Sequence, residues 1–244
     1  MEREIDLNEA PRLAAEIVAE LSALPVYDVP SERAVRLKYS HRLKRAQPEL
    51  ILALARELLT KYDERWIAYE LVHNHKAAWQ SLGEAELEEF GRGINSWWTV
   101  DAFARTLAGP AWLRGQVGDA LIHKWAHSAD LWWRRAALVS TVALNVRSQG
   151  GCGDLPRTLA VCRLLVADRA DMVVKALSWA LRELVVHDPE AVRAFLQEHE
   201  AVLAARVKHE VQNKLTTGRK YPRGSGGPVV GWSDGTCSTA RRLL

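Results

Sequence analysis

The sequence predicts an all-α fold, an α-solenoid of stacked helix pairs, and three observations point that way. Apolar residues recur at helical spacing through almost all of residues 7–215. No stretch of useful length alternates apolar and polar residues as a half-buried strand would. A weak internal echo adds a period. Asp63, Asp130 and Asp171 each open a helical segment that continues with an apolar or aromatic residue and then a small one. Their starts are 67 and 41 residues apart, compatible with units of roughly 35–40 residues if one intervening unit has diverged. Such units stack into a solenoid with a concave surface, and a plain globular α-bundle is the competing arrangement.

Taken in order, helices are predicted near 7–23, 31–44, 48–60, 64–73, 84–94, 97–107, 112–125, 131–146, 155–166, 171–185, 190–198 and 202–215. Breaks fall at Pro25, Pro30, Pro48, Gly83, Gly109-Pro110, Gly150-Gly151 and Asp188-Pro189. The short connections favour antiparallel neighbours. From Thr217 the composition turns to Gly, Pro and Ser with scattered Arg and Lys, and helical period disappears. The expected organisation is one helical-repeat domain over 1–216 and a flexible basic tail over 217–244.

At 244 residues, 48% hydrophobic and 26% charged, the chain can bury a sizeable core. No run of 18 or more apolar residues is present, so no membrane span is expected. The acidic N-terminus lacks the apolar stretch of a secretory signal. Cys152, Cys162 and Cys237 form no C-x-x-C pair, which points to a reducing, cytoplasmic location. Charge is unevenly placed. Residues 1–30 carry two basic and seven acidic side chains, whereas 31–45 and 206–223 each carry six basic and one acidic. Two such basic segments could converge on a polyanion, or could simply balance acidic faces.

The segment 95–101 holds the first candidate chemistry. Asn95 or Ser96 can cap a helix whose apolar stripe is Val100, Phe103, Ala104 and Leu107. Trp97 and Asp101 share a different face, an aromatic ring next to a carboxylate beside the core, and such a pair can stabilise a cation. In helix 131–146, Arg135 falls inside the stripe of Trp132, Val139, Val142, Ala143 and Val146, while Arg134 points away. An arginine on an apolar face needs an anion: Asp101, Asp130 or a nucleic-acid phosphate. In helix 171–185, Trp179 lies nearly opposite the apolar face, flanked by Lys175 and Arg182, either to pack on a neighbouring layer or to meet a ligand. His123 and His127 have ligand spacing but no third partner, so no metal is expected. Walker A, G-x-S-x-G and G-x-G-x-x-G signatures are absent.

Three motifs in this order, Ser96-Trp97-Trp98-x-Val100-Asp101, Trp125-Ala-x-Ser128-x-Asp130-x-Trp132-x-Arg134-Arg135-Ala and Lys175-Ala-x-Ser-Trp179-x-Leu-Arg182-Glu183, resemble the AlkD-type DNA alkylation-repair glycosylases. The resemblance covers roughly residues 25–220 and is weakest in the N-terminal third, in the loop Ser148–Asp154 and in the tail. It implies about six HEAT-like helix pairs with a concave basic surface. It also implies a monofunctional, cofactor-free hydrolase acting on double-stranded DNA that carries N3- or N7-alkylated purines. Such an enzyme would be a monomer, with no obligatory protein partner, and nucleoid-associated when bound. Carried over residue by residue, Asp101 is the catalytic aspartate, Trp97 and Trp179 the active-site tryptophans, and Arg135 the phosphate-contacting arginine. Arg182 and Lys175 are further DNA contacts. The competing functions are a non-catalytic binder of branched or distorted DNA and a helical-repeat protein–protein adaptor.

Overall fold

The computed structural model describes residues 9–26 and 28–221. Their regular structure is helical, with no strand among the described residues. The chain divides into two compact units at the Leu82–Gly83 junction.

The first unit contains α1 (Glu9–Ser22), α2 (Val29–Arg42), α3 (Pro48–Lys61), α4 (Arg65–Asn74) and α5 (Lys76–Gln80). Asp28 caps α2 by accepting the Ser31 N–H at 2.9 Å, and Pro30 sits in its first turn, where a missing N–H costs nothing. Proline opens α3 in the same way. Leu13, Ile17 and Leu21 of α1, Leu54 and Leu58 of α3, and Ile67 and Val72 of α4 are buried, so each helix hides one stripe. Besides its sequence neighbour, each helix packs on the next but one: α1 on α3, and α2 on α4. The short α5 was not predicted. His75 starts it by accepting the Ala78 N–H at 3.2 Å, and five residues are too few to show a period.

The basic segment 31–45 is half answered within this unit. Arg36 faces Glu70 at 3.5 Å, Arg42 faces Glu16 at 2.6 Å, and Lys38 pairs with Glu20. Three of its six cations therefore meet carboxylates of α1 or α4, which favours charge balancing over a dedicated polyanion stripe.

The second unit contains α6 (Glu84–Gly91), α7 (Trp97–Phe103), a π turn (Ala104–Ala108) and α8 (Gly109–Leu113). It continues with α9 (Asp119–Ala126), α10 (Leu131–Asn145), a 3-10 turn (Arg147–Gln149), α11 (Leu155–Leu164), α12 (Asp171–Leu184), α13 (Pro189–Glu198) and α14 (Ala205–Thr217). Helix α10 is its spine, packing against α7, the π turn, α8, α9, α11 and α12, and every residue from Arg135 to Asn145 is buried. Here too alternate helices make rows, α10–α12–α14 on one side and α9–α11 on the other. The next-but-one packing in both units is solenoid-like stacking, the arrangement expected of an all-α repeat protein.

Three sequence expectations need correction. Gly109-Pro110 does not end a helix: the chain stays helical from Trp97 to Leu113 and breaks instead around Gly115–Gly118. The three echoing aspartates are not equivalent either. Asp130 is a true N-cap, accepting the Trp132 N–H at 2.9 Å; Asp171 is the first residue of α12; Asp63 lies in the preceding loop with φ of 55°. Trp132 and its neighbour Trp133 are both only half-buried, and it is Trp133 whose ring meets the core aromatics, 5.0 Å from the Trp125 ring and 6.0 Å from Phe103. A Cβ at Gly91 would lie 2.3 Å from Trp133, so glycine there makes room for the ring.

Helix α14 closes at Thr217, and residues 222–244 of the expected tail, with Trp232, lie outside the described residues. Among the described residues, no helix is long and apolar enough to cross a membrane.

Candidate active site

Helix α7 begins at a capping box. Of the two candidate caps the chain uses Ser96, whose Oγ accepts the Thr99 N–H at 3.3 Å while Thr99 Oγ1 accepts the Ser96 N–H at 3.2 Å. That fixes the first turn and with it Trp97. Its ring is half-buried and meets Trp98 edge-on, with centroids 6.1 Å apart. One turn later Asp101 emerges on the same face.

Asp101 meets Arg135. The guanidinium donates from Nε and Nη2 to the two carboxylate oxygens at 2.9 Å each, and from Nη1 to the Met172 carbonyl at 2.6 Å. Both residues are 5% exposed. Of the anions open to Arg135 on sequence grounds, Asp101 is the protein partner and Asp130 is not. The fork geometry makes this the strong form of ion pair. Burial pushes the Asp101 carboxyl above its ordinary value; the Arg135 charge and hydrogen bonds, then the Arg105 charge, pull the other way. Arg134 does turn away, to Asp168 at 2.7 Å and to the carbonyls of Ser128 and Ala129.

Directly after α7 the helix widens. The Gly109 N–H bonds to the Ala104 carbonyl, five residues back and not four. In that shifted register the Arg105 carbonyl would look to residue 110, a proline with no N–H. Gln149 fills the gap, its Nε2 donating to the Arg105 carbonyl at 2.8 Å. Gly109 also lets α10 come close, because a Cβ there would lie 2.7 Å from the Ser140 carbonyl. The outcome is an arginine held one turn beyond Asp101, with its guanidinium carbon 5.6 Å from the centre of the Trp179 ring.

Trp179 stands half-buried on α12, off its apolar face, and its indole N–H donates to Glu183 at 2.8 Å. Lys175, one turn earlier, pairs with Asp171 at 2.7 Å. That lysine, then Arg206 and Arg135, holds the Asp171 carboxyl below its ordinary value. Arg182 turns from Trp179 toward α14, with Nε 3.2 Å from Ser178 Oγ and 4.0 Å from the buried Glu210. Burial pulls that guanidinium below its ordinary value, against the Glu210 and Glu183 charges.

Asp101 and Arg135 are thus in direct contact, Trp97 stands on the same face one turn before Asp101, and Arg105 joins this group to Trp179. Lys175 sits at the edge through Asp171, while Arg182 belongs to a separate cluster with Glu210. Arg105 was missed on sequence grounds, although it lies inside the predicted helix 97–107 and extends the Trp97–Asp101 spacing by four more residues; its approach to Trp179 depends on packing between helices.

The family model for DNA alkylation repair enzymes matches residues 27–211, about three quarters of the chain. The chain belongs to the DNA alkylation repair enzyme family. DNA repair chemistry, with DNA as substrate, follows from that membership, and the motif-level resemblance of Trp97, Asp101, Arg135 and Trp179 agrees with it. No curated protein matches the chain as a relative. All six candidate residues of this family member fall inside the matched region.

Proposed function

We propose that this repair enzyme is a monofunctional DNA glycosylase that hydrolyses the N-glycosidic bond of N3- or N7-alkylated purines in duplex DNA, working as a monomer without a cofactor. The observation that carries the reading is the buried, bidentate Asp101–Arg135 pair with Trp97 beside it and Arg105 leading to Trp179.

An alkylated purine of this kind is already cationic. When its C1′–N bond breaks, the bonding electrons return to the base, which leaves neutral and needs little acid catalysis. The demanding part is the oxocarbenium-like sugar left behind. A carboxylate offers about four lone-pair sites and Arg135 takes two, so Asp101 can still accept from a water or face a cationic sugar. Water then attacks C1′, and its proton passes through Asp101 to solvent. At about 4 Å a full charge pair is worth about 1 kcal/mol in water and about 4 kcal/mol at an effective dielectric of 20; the Arg135 charge reduces the field the sugar feels. Arg135 compensates by fixing the carboxylate so that nothing must reorganise during the reaction. Trp97 and Trp179 add aromatic contacts to the sugar and cation, roughly 0.5–2 kcal/mol each.

One observation favours a second reading. A buried pair with both oxygens engaged is also what a purely structural ion pair looks like, as a non-catalytic binder of distorted DNA would have. Mass spectrometry of bases freed from methylated DNA separates the two. Release of 3-methyladenine or 7-methylguanine supports the glycosylase; salt-sensitive binding with no released base supports the binder.

A further inference from the structure

We propose that Arg206 and Lys175, set side by side by Asp171, grip a backbone phosphate of the DNA strand next to the sugar at Asp101; this rests on the reading of Asp101 as the sugar-facing carboxylate. The basic segment 206–223 is answered differently from 31–45. Of its five cations among the described residues, Lys208 and Lys214 turn to the carbonyls of Glu200 and Gly218, Lys220 faces the buried Glu210 at 3.4 Å, and Arg219 is exposed. Arg206 reaches across to α12, with Nη1 3.4 Å from one oxygen of Asp171. The other oxygen takes Lys175 Nζ at 2.7 Å, so one carboxylate holds an ammonium and a guanidinium together.

This triad adjoins the candidate site. Arg135, paired with Asp101, donates to the carbonyl of Met172, the residue after Asp171. The contacts thus lead from α7 through α10 to α12, and Arg206 adds α14. Asp171 and Arg206 lie in the first turns of α12 and α14, which brings two helix N-termini, the positive ends of their dipoles, together. Both helices start from alanine with no side-chain cap, whereas α10, α11 and α13 are each capped by an aspartate. The triad itself carries one net positive charge, which a phosphodiester neutralises. Arg206 is 45% exposed and, among the described residues, makes no hydrogen bond through its guanidinium. An exposed ion pair of this kind is weak, so a phosphate can take the guanidinium from Asp171 and engage its planar fork of donors.

Two exposed ion pairs make a matched test in the full chain. Arg206–Asp171 lies on the α10–α12–α14 row, and Arg193–Glu190 on α13, with Arg193 47% exposed, lies outside it. Binding of an undamaged labelled duplex is titrated with salt between about 50 and 200 mM. For Arg206→Gln the slope of log affinity against log salt is expected to shrink by about 0.9, one phosphate contact, and for Arg206→Lys to return toward the wild-type value. Asp171→Asn is expected to tighten binding about threefold by removing the competing anion. Arg193→Gln and Glu190→Gln are expected to leave slope and affinity at wild type. An unchanged slope in Arg206→Gln overturns the proposal, as does failure of Asp171→Asn to tighten binding. Equal shifts from the two pairs also overturn it, because they report bulk charge and no site. Lack of base release by the wild type overturns the reading of Asp101 instead, and the salt slope still decides Arg206.

Discussion

Arg135 reaches Asp101 across 34 residues of sequence through two parallel hydrogen bonds of 2.9 Å, with both side chains 6% exposed. Removing either partner leaves a buried charge without its counterion, a loss of about 3–5 kcal/mol. Asp101→Asn and Arg135→Gln should each lower unfolding stability by that order. The double variant should recover more than half of the loss, because two neutral amides can still bond to each other. Denaturant unfolding of the four proteins measures the coupling. Base release should stay lost in the double variant, since it restores packing but not the carboxylate.

The pH dependence has a definite sign. Burial raises the folded-state pKa of Asp101, so this group contributes most to stability below its unfolded value, and the contribution is lost as pH rises through the raised value. Activity runs the other way, because only the ionised carboxylate can act. The acid limb of base release should therefore lie above the ordinary carboxylate range, and Arg135→Gln should move it higher still. A pH–rate profile of single-turnover release reads both.

The π turn yields a prediction remote from any charge. Gln149→Ala removes the donor that satisfies the Arg105 carbonyl, which Pro110 cannot serve, and should cost about 1–3 kcal/mol. Gly109→Ala forces a Cβ to within 2.7 Å of the Ser140 carbonyl, a strain of about 1–3 kcal/mol. Both should weaken DNA binding more than a control substitution of equal destabilisation elsewhere, such as Leu54→Ala in the first unit. Thermal unfolding alongside fluorescence-anisotropy binding makes the comparison.

Glu183 holds the Trp179 indole N–H at 2.8 Å. Glu183→Ala should cost only about 1 kcal/mol of stability, the worth of one partly buried hydrogen bond. It should raise KM for methylated DNA several-fold by letting the ring swing. Steady-state kinetics on a defined duplex checks this.

Much of this arrangement was legible in the sequence because it follows from helical spacing. The i, i+4 pairing of Trp97 with Asp101, the arginine inside the α10 stripe and the tryptophan off the α12 core face are all properties of a helical wheel. Which anion Arg135 meets was not legible, since it depends on how α7 and α10 pack, and α10 packs on many elements at once. The continuation of the helix past residue 107 was hidden for a subtler reason. Gly-Pro ordinarily ends a helix, but here a one-residue register shift and a distant glutamine absorb the missing N–H. The basic segment 31–45 showed its charge in the sequence and concealed its partners, which lie on α1 and α4.

The central claim is that Asp101 acts on the sugar as well as anchoring Arg135. The most direct measurement is mass-spectrometric counting of purines released from methylated duplex DNA by the wild type, Asp101→Asn and the Asp101→Asn, Arg135→Gln double variant, each verified as folded. The account predicts release of 3-methyladenine or 7-methylguanine by the wild type and at least a hundredfold slower release by both variants. Wild-type rates in a folded double variant would contradict it.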